Sequence, residues 1–128
     1  MRLLLDTSTF LWYALDAPQL SARARELCRD SGNELYLSGI SDWEIAVKYS
    51  QRRLPLPLPA HEFVPRYRAA HGIQPLPFDE AAALCAESLP WIHKDPFDRM
   101  LICQAITHQM ALVTDDRMIT QYPIRVIW

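Results

Sequence analysis

The sequence is poor in glycine, paired cysteine and long apolar runs, and each shortage excludes a class of protein. Its three glycines, Gly32, Gly39 and Gly72, form no glycine-rich loop of the kind that cradles phosphate in nucleotide-binding folds. Its three cysteines are widely spaced among aliphatic residues, which excludes a disulfide framework and a paired-cysteine zinc site. Any phosphate chemistry therefore has to use metal ions, basic side chains or helix N-termini.

The apolar residues are too dispersed for a membrane protein. The longest apolar run, Phe10 to Leu15, has six residues, whereas a membrane-spanning helix needs roughly 20. Asp6 interrupts the apolar start of the chain where a secretory signal would continue, so we expect a cytoplasmic protein. Half of the 128 residues are apolar and 22% are charged, a globular composition. We predict a single domain over residues 1–128.

Strand and helix signals alternate along the chain with short connections. The predicted strands cover residues 2–6, 34–38, 73–76, 111–114 and 124–128. The predicted helices cover 8–16, 22–31, 41–51, a segment bent at Pro65, a segment capped by Asp79, and 95–108, with Ser21 and Gly32 capping the second of them. The segment Leu54–Pro59, in which leucine alternates with proline, is predicted to be an extended connector. This alternation predicts an α/β fold with a mainly parallel central sheet of about five strands flanked by helices.

Acidic residues stand at the ends of predicted strands and at the starts of predicted helices. Six residues share this placement: Asp6, Glu44, Asp95, Asp98, Asp115 and Asp116. Because the carboxyl ends of parallel strands face one edge of the sheet, and crossovers are right-handed, we expect four to six carboxylates to lie near one another there.

Carboxylates placed this close repel one another. Two charges about 5 Å apart repel by about 3 kcal/mol at an effective dielectric constant near 20. Such a cluster persists only if some of its members are protonated or if a divalent cation neutralises them. Oxygen ligands without a cysteine or histidine partner favour Mg²⁺ or Mn²⁺ over zinc. The pattern therefore predicts a site for one of these two ions.

Two of the acids also have purely structural explanations as parts of helix N-termini. Ser41 and Glu44 have the spacing of a capping box, in which Glu44 would accept a hydrogen bond from the amide of Ser41. Asp95 before Pro96 is typical of an ordinary N-cap. Either explanation, taken singly, is the more common one for its residue.

The other acids have structural alternatives of the same kind. Asp98 would stabilise the helix dipole from the first turn, and Asp115 with Asp116 would form a turn. Asp6 would cap the first helix. Asp6 is the hardest to explain in this way, because it follows a buried strand and has no basic residue nearby in the sequence. Only the joint pattern favours a functional site.

The acids occur in four segments that follow one another along the chain. The segments are LLDTSTFLW at 4–12, LSGISDWEIAVK at 37–48, HKDPFDRMLICQA at 93–105 and LVTDD at 112–116. In this order they resemble the motifs of the PIN-domain ribonucleases, and among them the toxin components of VapBC toxin-antitoxin pairs. The closing VIW at 126–128 also fits this subgroup, so the resemblance covers nearly the whole chain.

The resemblance implies a metal-dependent endoribonuclease that acts as the toxin of a toxin-antitoxin system. Carboxylate-bound Mg²⁺ or Mn²⁺ would activate water and stabilise charge during in-line hydrolysis of a phosphodiester bond. The implied catalytic and metal-binding residues are Asp6, Glu44, Asp98 and Asp116, with Asp95 and Asp115 as weaker candidates. It also implies three partners: an RNA substrate, a small antitoxin protein that occupies the active-site groove, and a second copy of the chain. Antitoxins of this family often bind through a hydrophobic groove between helices, and the apolar connector Leu54–Pro59 with its neighbouring helices is a candidate wall of such a groove.

Two further side chains lie in or beside the motifs. Ser8 would hydrogen-bond Asp6 or a metal-bound water, or would cap the first helix. His93 could donate a proton or bind a metal, but a lone histidine in a loop more often does neither. We therefore leave His93 out of the predicted site.

The net charge of −2 conceals a basic remainder. Thirteen lysines and arginines face only nine acids once the six candidate ligands are set aside, which leaves +4 for the rest of the chain. A basic surround suits a phosphate backbone. The candidate RNA contacts are Lys48, Arg52, Arg53, Lys94 and Arg99. Solvated helix faces, and an ordinary pairing of Lys48 with Glu44 one turn away, explain the same residues without RNA.

Alternative functions make different demands on the sequence. A catalytically inactive PIN-like module that only binds a partner protein would leave the acids charged and unpaired, which counts against it. A haloacid-dehalogenase-like phosphatase needs a second aspartate two residues after Asp6, where the chain has Ser8. A receiver-type domain needs a pair of acids after the first strand, where the chain has Asp6 and Thr7.

Overall fold

A computed structural model describes residues 1–128, with five strands, six α-helices and one 3₁₀ helix. The elements are β1 (Arg2–Leu5), α1 (Thr7–Ala14), α2 (Ala22–Arg29), β2 (Glu34–Ser38), α3 (Gly39–Ser50), α4 (Ala60–Ala70), β3 (Gln74–Leu76), α5 (Glu80–Cys85), α6 (Pro96–His108), β4 (Ala111–Val113), the 3₁₀ helix (Arg117–Gln121) and β5 (Val126–Ile127). The strands form one sheet in the order β3-β2-β1-β4-β5, and every neighbouring pair is parallel. The predicted α/β fold with a mainly parallel sheet is confirmed.

The central strand β1 anchors apolar layers on both faces of the sheet. Leu3, Leu4 and Leu5 are completely buried. Leu3 and Leu5 belong to one layer and Leu4 to the other, as the alternation of side chains along a strand requires. Burial of each leucine contributes about 1.5–3 kcal/mol to the stability of the fold. Packing on both faces of the sheet therefore holds β1 in place.

Helices cover both faces, which is the usual environment of a parallel sheet. Helices α1 to α4 supply one layer, in which the rings of Phe10 and Phe63 meet edge to face at 6.3 Å between centroids. Helices α5 and α6 supply the other, which contains Leu101 and Ile102. No helix of the protein combines the length and the apolar composition needed to cross a membrane.

The order of the strands reverses at β1. From there β2 and β3 extend the sheet to one side, and β4 and β5 extend it to the other. Leu5 pairs with Leu37 of β2 and with Val113 of β4, so these three strands end at the same level. Ligand sites of open α/β sheets lie at the carboxyl ends of strands around such a reversal.

Several helix boundaries differ from the prediction by one or two residues. Helix α1 begins at Thr7 rather than Ser8, because Asp6 itself is the N-cap. Helix α2 begins after Ser21 as predicted but ends at Arg29. Gly32 does not cap it, since its amide donates instead to the Asp30 carboxylate at 2.9 Å.

The proline-rich connector is anchored by its leucines. Residues 54–59 form neither helix nor strand. The three leucines of this segment are half-buried and pack against the layer that contains Phe63, whereas the prolines between them are exposed. Helix α4 then runs through Pro65, and Gly72 follows its C-cap with φ +64°, a left-handed conformation that favours glycine.

Candidate active site

A cleft of about 220 Å³ opens at the carboxyl edge of the sheet, and every residue that lines it is polar. The lining residues are Asp6, Thr7, Ser8, Glu44, Lys48, Asp95, Asp98, Asp115 and Asp116. The fold therefore brings together all six acids that the sequence singles out, from the ends of β1 and β4, from the second turn of α3 and from the start of α6.

Asp6 is both a helix cap and a wall of the cleft. Its Oδ1 atom accepts a hydrogen bond of 2.7 Å from the amide of Thr9, and the Thr9 hydroxyl donates to the carbonyl of Val113 at the end of β4. Only 7% of Asp6 is exposed, and this burial raises the pKa of its carboxyl against the hydrogen bonds from Thr114 and Thr9, which lower it. The capping role uses one carboxylate oxygen, so it does not exclude a ligand role for the other.

Glu44 is held by two side chains and not by a helix N-terminus. Its Oε1 accepts a hydrogen bond of 2.7 Å from the hydroxyl of Thr7, and its Oε2 lies 2.5 Å from Nζ of Lys48. The capping-box alternative is wrong, because α3 begins two residues earlier than predicted. Its N-cap is Ser38, whose hydroxyl accepts from the amide of Ile40 at 3.0 Å, while Ser41 is buried in the first turn.

Asp98 carries the clearest electrostatic signal in the cleft. Burial raises the pKa of this carboxyl to about 7, and the nearby carboxylates of Asp95, Asp6 and Asp116 contribute in the same direction. Its side chain is 25% exposed and faces the cleft. His93 lowers the pKa only in part, so negative charge at this position is incompletely compensated by the protein, a situation that a bound cation would relieve.

His93 connects two of the acids. Its Nε2 atom lies 2.7 Å from Oδ2 of Asp116 and 3.2 Å from Oδ2 of Asp98. The amide of Asp95 donates to its Nδ1 atom at 3.1 Å. Since Nδ1 accepts a hydrogen bond, the network assigns the proton of the neutral ring to Nε2, which donates to Asp116. The structure thus places His93 to orient the Asp116 carboxylate, and Nε2 of His93 also lies close enough to carboxylate oxygens of Asp98 and Asp116 for the three side chains to hold a metal ion.

The two remaining acids at the rim differ from Asp116 in how they are held. Asp116 caps the 3₁₀ helix through Oδ1, which accepts from the amide of Met118 at 2.9 Å, while its Oδ2 receives the bond from His93. Asp95 is the N-cap of α6, with Oδ1 accepting from the amide of Phe97 at 2.8 Å. Asp115 is exposed at the mouth of the cleft.

The model of the PIN domain family matches residues 3–124 of the chain. The chain belongs to the PIN domain family. Ribonuclease VapC22 of Mycobacterium tuberculosis (strain ATCC 25618 / H37Rv) is 30% identical to it over 115 residues, which make up 89% of this PIN domain and 86% of the relative. Ribonuclease VapC16 of the same strain is 38% identical over 68 residues, which is 50% of this chain and 48% of that one. The predicted resemblance is confirmed.

Solved structures agree with this assignment at the level of the fold. A chain of VapBC2 from Rickettsia felis, bound to a DNA fragment from its promoter, superposes with a TM-score of 0.73 at 14% identity. The match covers 99% of this PIN domain and 98% of that chain. DNA-bound VapBC from Salmonella typhimurium matches with a TM-score of 0.67 at 19% identity, over 99% and 97% of the two chains.

The basic residues predicted to contact RNA lie in different places. Lys48 lines the cleft, and Lys94 is exposed beside Asp95. Arg52 and Arg53 are exposed after the end of α3 and outside the cleft.

Arg99 is a correction to the predicted RNA contacts, because its side chain is buried. Its guanidinium donates to the carbonyls of Leu89, Pro90 and His93 at 2.9–3.1 Å. All three are backbone acceptors in the segment that leads to His93. Arg99 therefore fixes this segment from within, where a phosphate backbone would not reach it.

Sequence reasoning missed the residues that orient the acids. Thr7 and His93 hydrogen-bond Glu44 and Asp116, and each pair is joined across more than 20 residues of sequence. The only available signal was position: Thr7 directly follows Asp6, and His93 begins the third motif. Ser8 lines the cleft but does not cap α1, because Asp6 does.

Proposed function

We propose that this PIN domain is a metal-dependent endoribonuclease and the toxin of a toxin-antitoxin pair, acting in the cytoplasm. The observation that carries the proposal is the cleft itself, in which six carboxylates meet with Lys48 as the only basic residue of the lining. Family membership and the ribonuclease relatives support nuclease activity. The VapBC structures support a complex with an antitoxin.

The donor set fits a hard divalent cation. We propose that Asp6, Glu44, Asp98 and Asp116 hold Mg²⁺ or Mn²⁺, with Asp95 and Asp115 as weaker candidates. The ligand atoms are carboxylate oxygens, which these ions prefer. The raised pKa values of Asp6 and Asp98 support the fit, because burial, and at Asp98 also the neighbouring carboxylates, disfavour a negative charge that a cation would stabilise.

The chain's own residues keep the carboxylates in place for chemistry. The amide of Thr9, the hydroxyl of Thr7 and the imidazole of His93 each hold one carboxylate oxygen, of Asp6, Glu44 and Asp116 respectively. A bound ion would supply an activated water and stabilise the charge that develops on the phosphate. In the net reaction the oxygen of water bonds to phosphorus and one ester bond from phosphorus to ribose oxygen breaks.

The polar surround of the cleft supports RNA as the substrate. Lys48 and Lys94 are the proposed phosphate contacts next to the cleft, with Arg52 and Arg53 further out. We also propose an antitoxin and a second copy of the chain as partners. A surface cavity of about 660 Å³ at the end of α3, which Arg52, Leu54 and Leu56 help to line, supports the connector as part of the antitoxin groove.

The test of the proposed activity is cleavage of a pool of single-stranded and structured RNA by the purified protein. We expect cleavage with Mg²⁺ or Mn²⁺, none with EDTA, and a loss of at least about a hundredfold for Asp6→Asn and Asp98→Asn, since even groups that only support metal ligands contribute 10–100-fold. Asp79→Asn is the matched control, because Asp79 caps α5 and is not part of the cleft.

The opposite results would have distinct meanings. Cleavage that persists in EDTA or in both variants would contradict the metal-dependent mechanism. A folded protein that neither cleaves RNA nor binds Mg²⁺ or Mn²⁺ in a calorimetric titration would instead be an inactive interaction module.

A further inference from the structure

A second concavity lies on the other side of the segment that precedes and begins α6. It measures about 340 Å³ and is lined mainly by apolar side chains, among them Phe78, Trp91 and Met100. Lys94 and Pro96 also line it, whereas the intervening Asp95 lines the acidic cleft. The two concavities are therefore separated by a single turn of chain.

Trp91 forms an exposed wall of this pocket and is held in one orientation. It is 77% exposed, the highest value among the large apolar side chains that reach the surface. The guanidinium carbon of Arg99 lies 3.7 Å from the centroid of its ring, so a cation–π contact covers one face. Arg99 is itself fixed by its three carbonyl acceptors. The opposite face of the Trp91 ring is therefore open to solvent, and Arg99 holds the ring in place from behind.

An aromatic face with these neighbours matches what an unpaired nucleobase requires. Single-stranded nucleic acids bind to proteins through bases stacked on aromatic rings and through cations that contact the backbone. Trp91 offers the ring, the pocket offers apolar walls, and the exposed Lys94 offers a cation between the pocket and the cleft.

We propose that Trp91 and the apolar pocket beside it bind a nucleobase of single-stranded RNA whose backbone enters the acidic cleft. The proposal rests on the proposed ribonuclease function and deepens it, because it names an unpaired base near the cleaved bond as the element recognised. A double-stranded region cannot present its bases in this way, so the pocket selects single strands.

The test compares RNA binding by two variants at this position. A random pool of fluorescently labelled single-stranded 12-nucleotide RNAs is titrated with protein in Mg²⁺, in an Asp98→Asn background that prevents cleavage. We expect Trp91→Ala to weaken binding by about tenfold, the lower part of the range for loss of one stacked base, and Trp91→Phe to restore most of it. Trp43→Ala removes an exposed tryptophan (63%) from α3, away from the pocket, and is expected to leave binding unchanged.

Each contrary result is distinguishable. If the Asp98→Asn protein binds the RNA pool and Trp91→Ala binds it equally well, the base-binding pocket is refuted while the ribonuclease proposal stands. If Trp91→Ala leaves RNA binding unchanged but dissociates a dimer in sedimentation, the face is a protein interface. If the protein with Asp98 intact neither binds nor cleaves RNA, the proposed function fails and the pocket proposal fails with it.

Discussion

Helix α6 has an aspartate–histidine contact near each end. Before its first turn, Nε2 of His93 lies 2.7 Å from Asp116 and 3.2 Å from Asp98. At its last residue, Nε2 of His108 lies 2.7 Å from Asp79, the N-cap of α5. The two contacts use the same pair of functional groups at the same shortest distance, so their different electrostatics must come from their surroundings.

At the C-terminal end, the surroundings stabilise the negative charge. The pKa of Asp79 is lowered by the hydrogen bond from the amide of Ala82 and by His108, and no neighbouring carboxylate raises it. At the N-terminal end, burial and three neighbouring carboxylates raise the pKa of Asp98 to about 7. One contact is thus an ordinary link between two helices, and the other lies in an acidic cleft whose charge is incompletely balanced.

This difference shows which feature of an aspartate–histidine pair marks a candidate site. The distance between the two groups does not, because Asp116 in the cleft lies as close to its histidine as Asp79 does, at 2.7 Å in each contact. The feature that marks a candidate site is the accumulation of negative charge around the pair. Such an accumulation lowers the stability of the folded protein, and carboxylates with shifted pKa values are concentrated at functional sites. Each prediction below changes one member of this comparison and leaves its counterpart as the control.

Among the changes to the two aspartate–histidine contacts, the largest effect is expected from removing His93, the histidine in the cleft. His93→Ala leaves Oδ2 of Asp116 without its donor, and we expect RNA cleavage to fall by about 10–100-fold, the usual cost of losing a group that orients a metal ligand. His93→Gln, which retains an N–H donor, should recover part of the activity. Cleavage rates and the apparent Mg²⁺ affinity measure the effect.

The corresponding change at the other end of α6 is His108→Ala. It breaks the contact with Asp79 outside the cleft and should leave the cleavage rate unchanged. Equal losses for His93→Ala and His108→Ala would mean that both histidines act only through the stability of α6.

The fold was predictable because its local signals agree with its global order. Leucines at 3–5 followed by Asp6, and the Asp95–Pro96 helix start, predicted β1 and α6 with boundaries correct to one residue. The strand order was not predicted from the sequence, since it depends on which strands pair across long separations. The start of α3 was predicted two residues late because Ser38 and Ser41 are both suitable caps, and only packing decides between them.

The positions of the acids in the cleft were predictable for a similar reason. The side chains that hydrogen-bond to these acids were not predictable. An acid at the end of a parallel strand reaches one edge of the sheet in any such fold, so its position is a local property. The bond between His93 and Asp116 joins residues 23 apart and depends on how the segment before α6 lies over β4. Arg99 is a second example of what the sequence alone does not show. Its charge led to the prediction of an RNA contact, and only the fold reveals that its guanidinium donates to three backbone carbonyls.

The second-largest effect that we expect is a pH dependence of stability that Asp98 causes in the metal-free protein. Because the folded pKa of Asp98 lies near 7, above the ordinary 3.8, its contribution to stability is fully present below about pH 4 and is lost as the pH rises through 7. We expect the free energy of unfolding in EDTA to fall by on the order of 2 kcal/mol over this range, after allowance for partial exposure. Asp98→Asn should make this fall smaller, leaving the part that other buried acids such as Asp6 contribute, and Mg²⁺ should oppose the fall in the unmodified protein.

Urea unfolding at pH 5 and pH 8 measures this prediction. If the free energy of unfolding changes by the same amount between pH 5 and pH 8 in the unmodified protein and in Asp98→Asn, the cleft carries no unbalanced charge at Asp98. That result would remove the contrast between the two ends of α6.

The smallest effect is expected at Asp79, where the sign is reversed. Its pKa is lowered in the folded protein, so its contribution to stability is present at neutral pH and disappears as the pH falls below about 4. Asp79→Asn keeps an oxygen that can cap α5 but loses the charge, and because the pair is partly exposed to solvent we expect Tm at pH 7 to decrease by no more than about 3 °C. Thermal unfolding at pH 7 and pH 3 should show this difference shrinking in acid, opposite to the difference produced by Asp98→Asn. A decrease that is the same at both pH values would mean that Asp79 stabilises α5 through its shape as a cap and not through its charge.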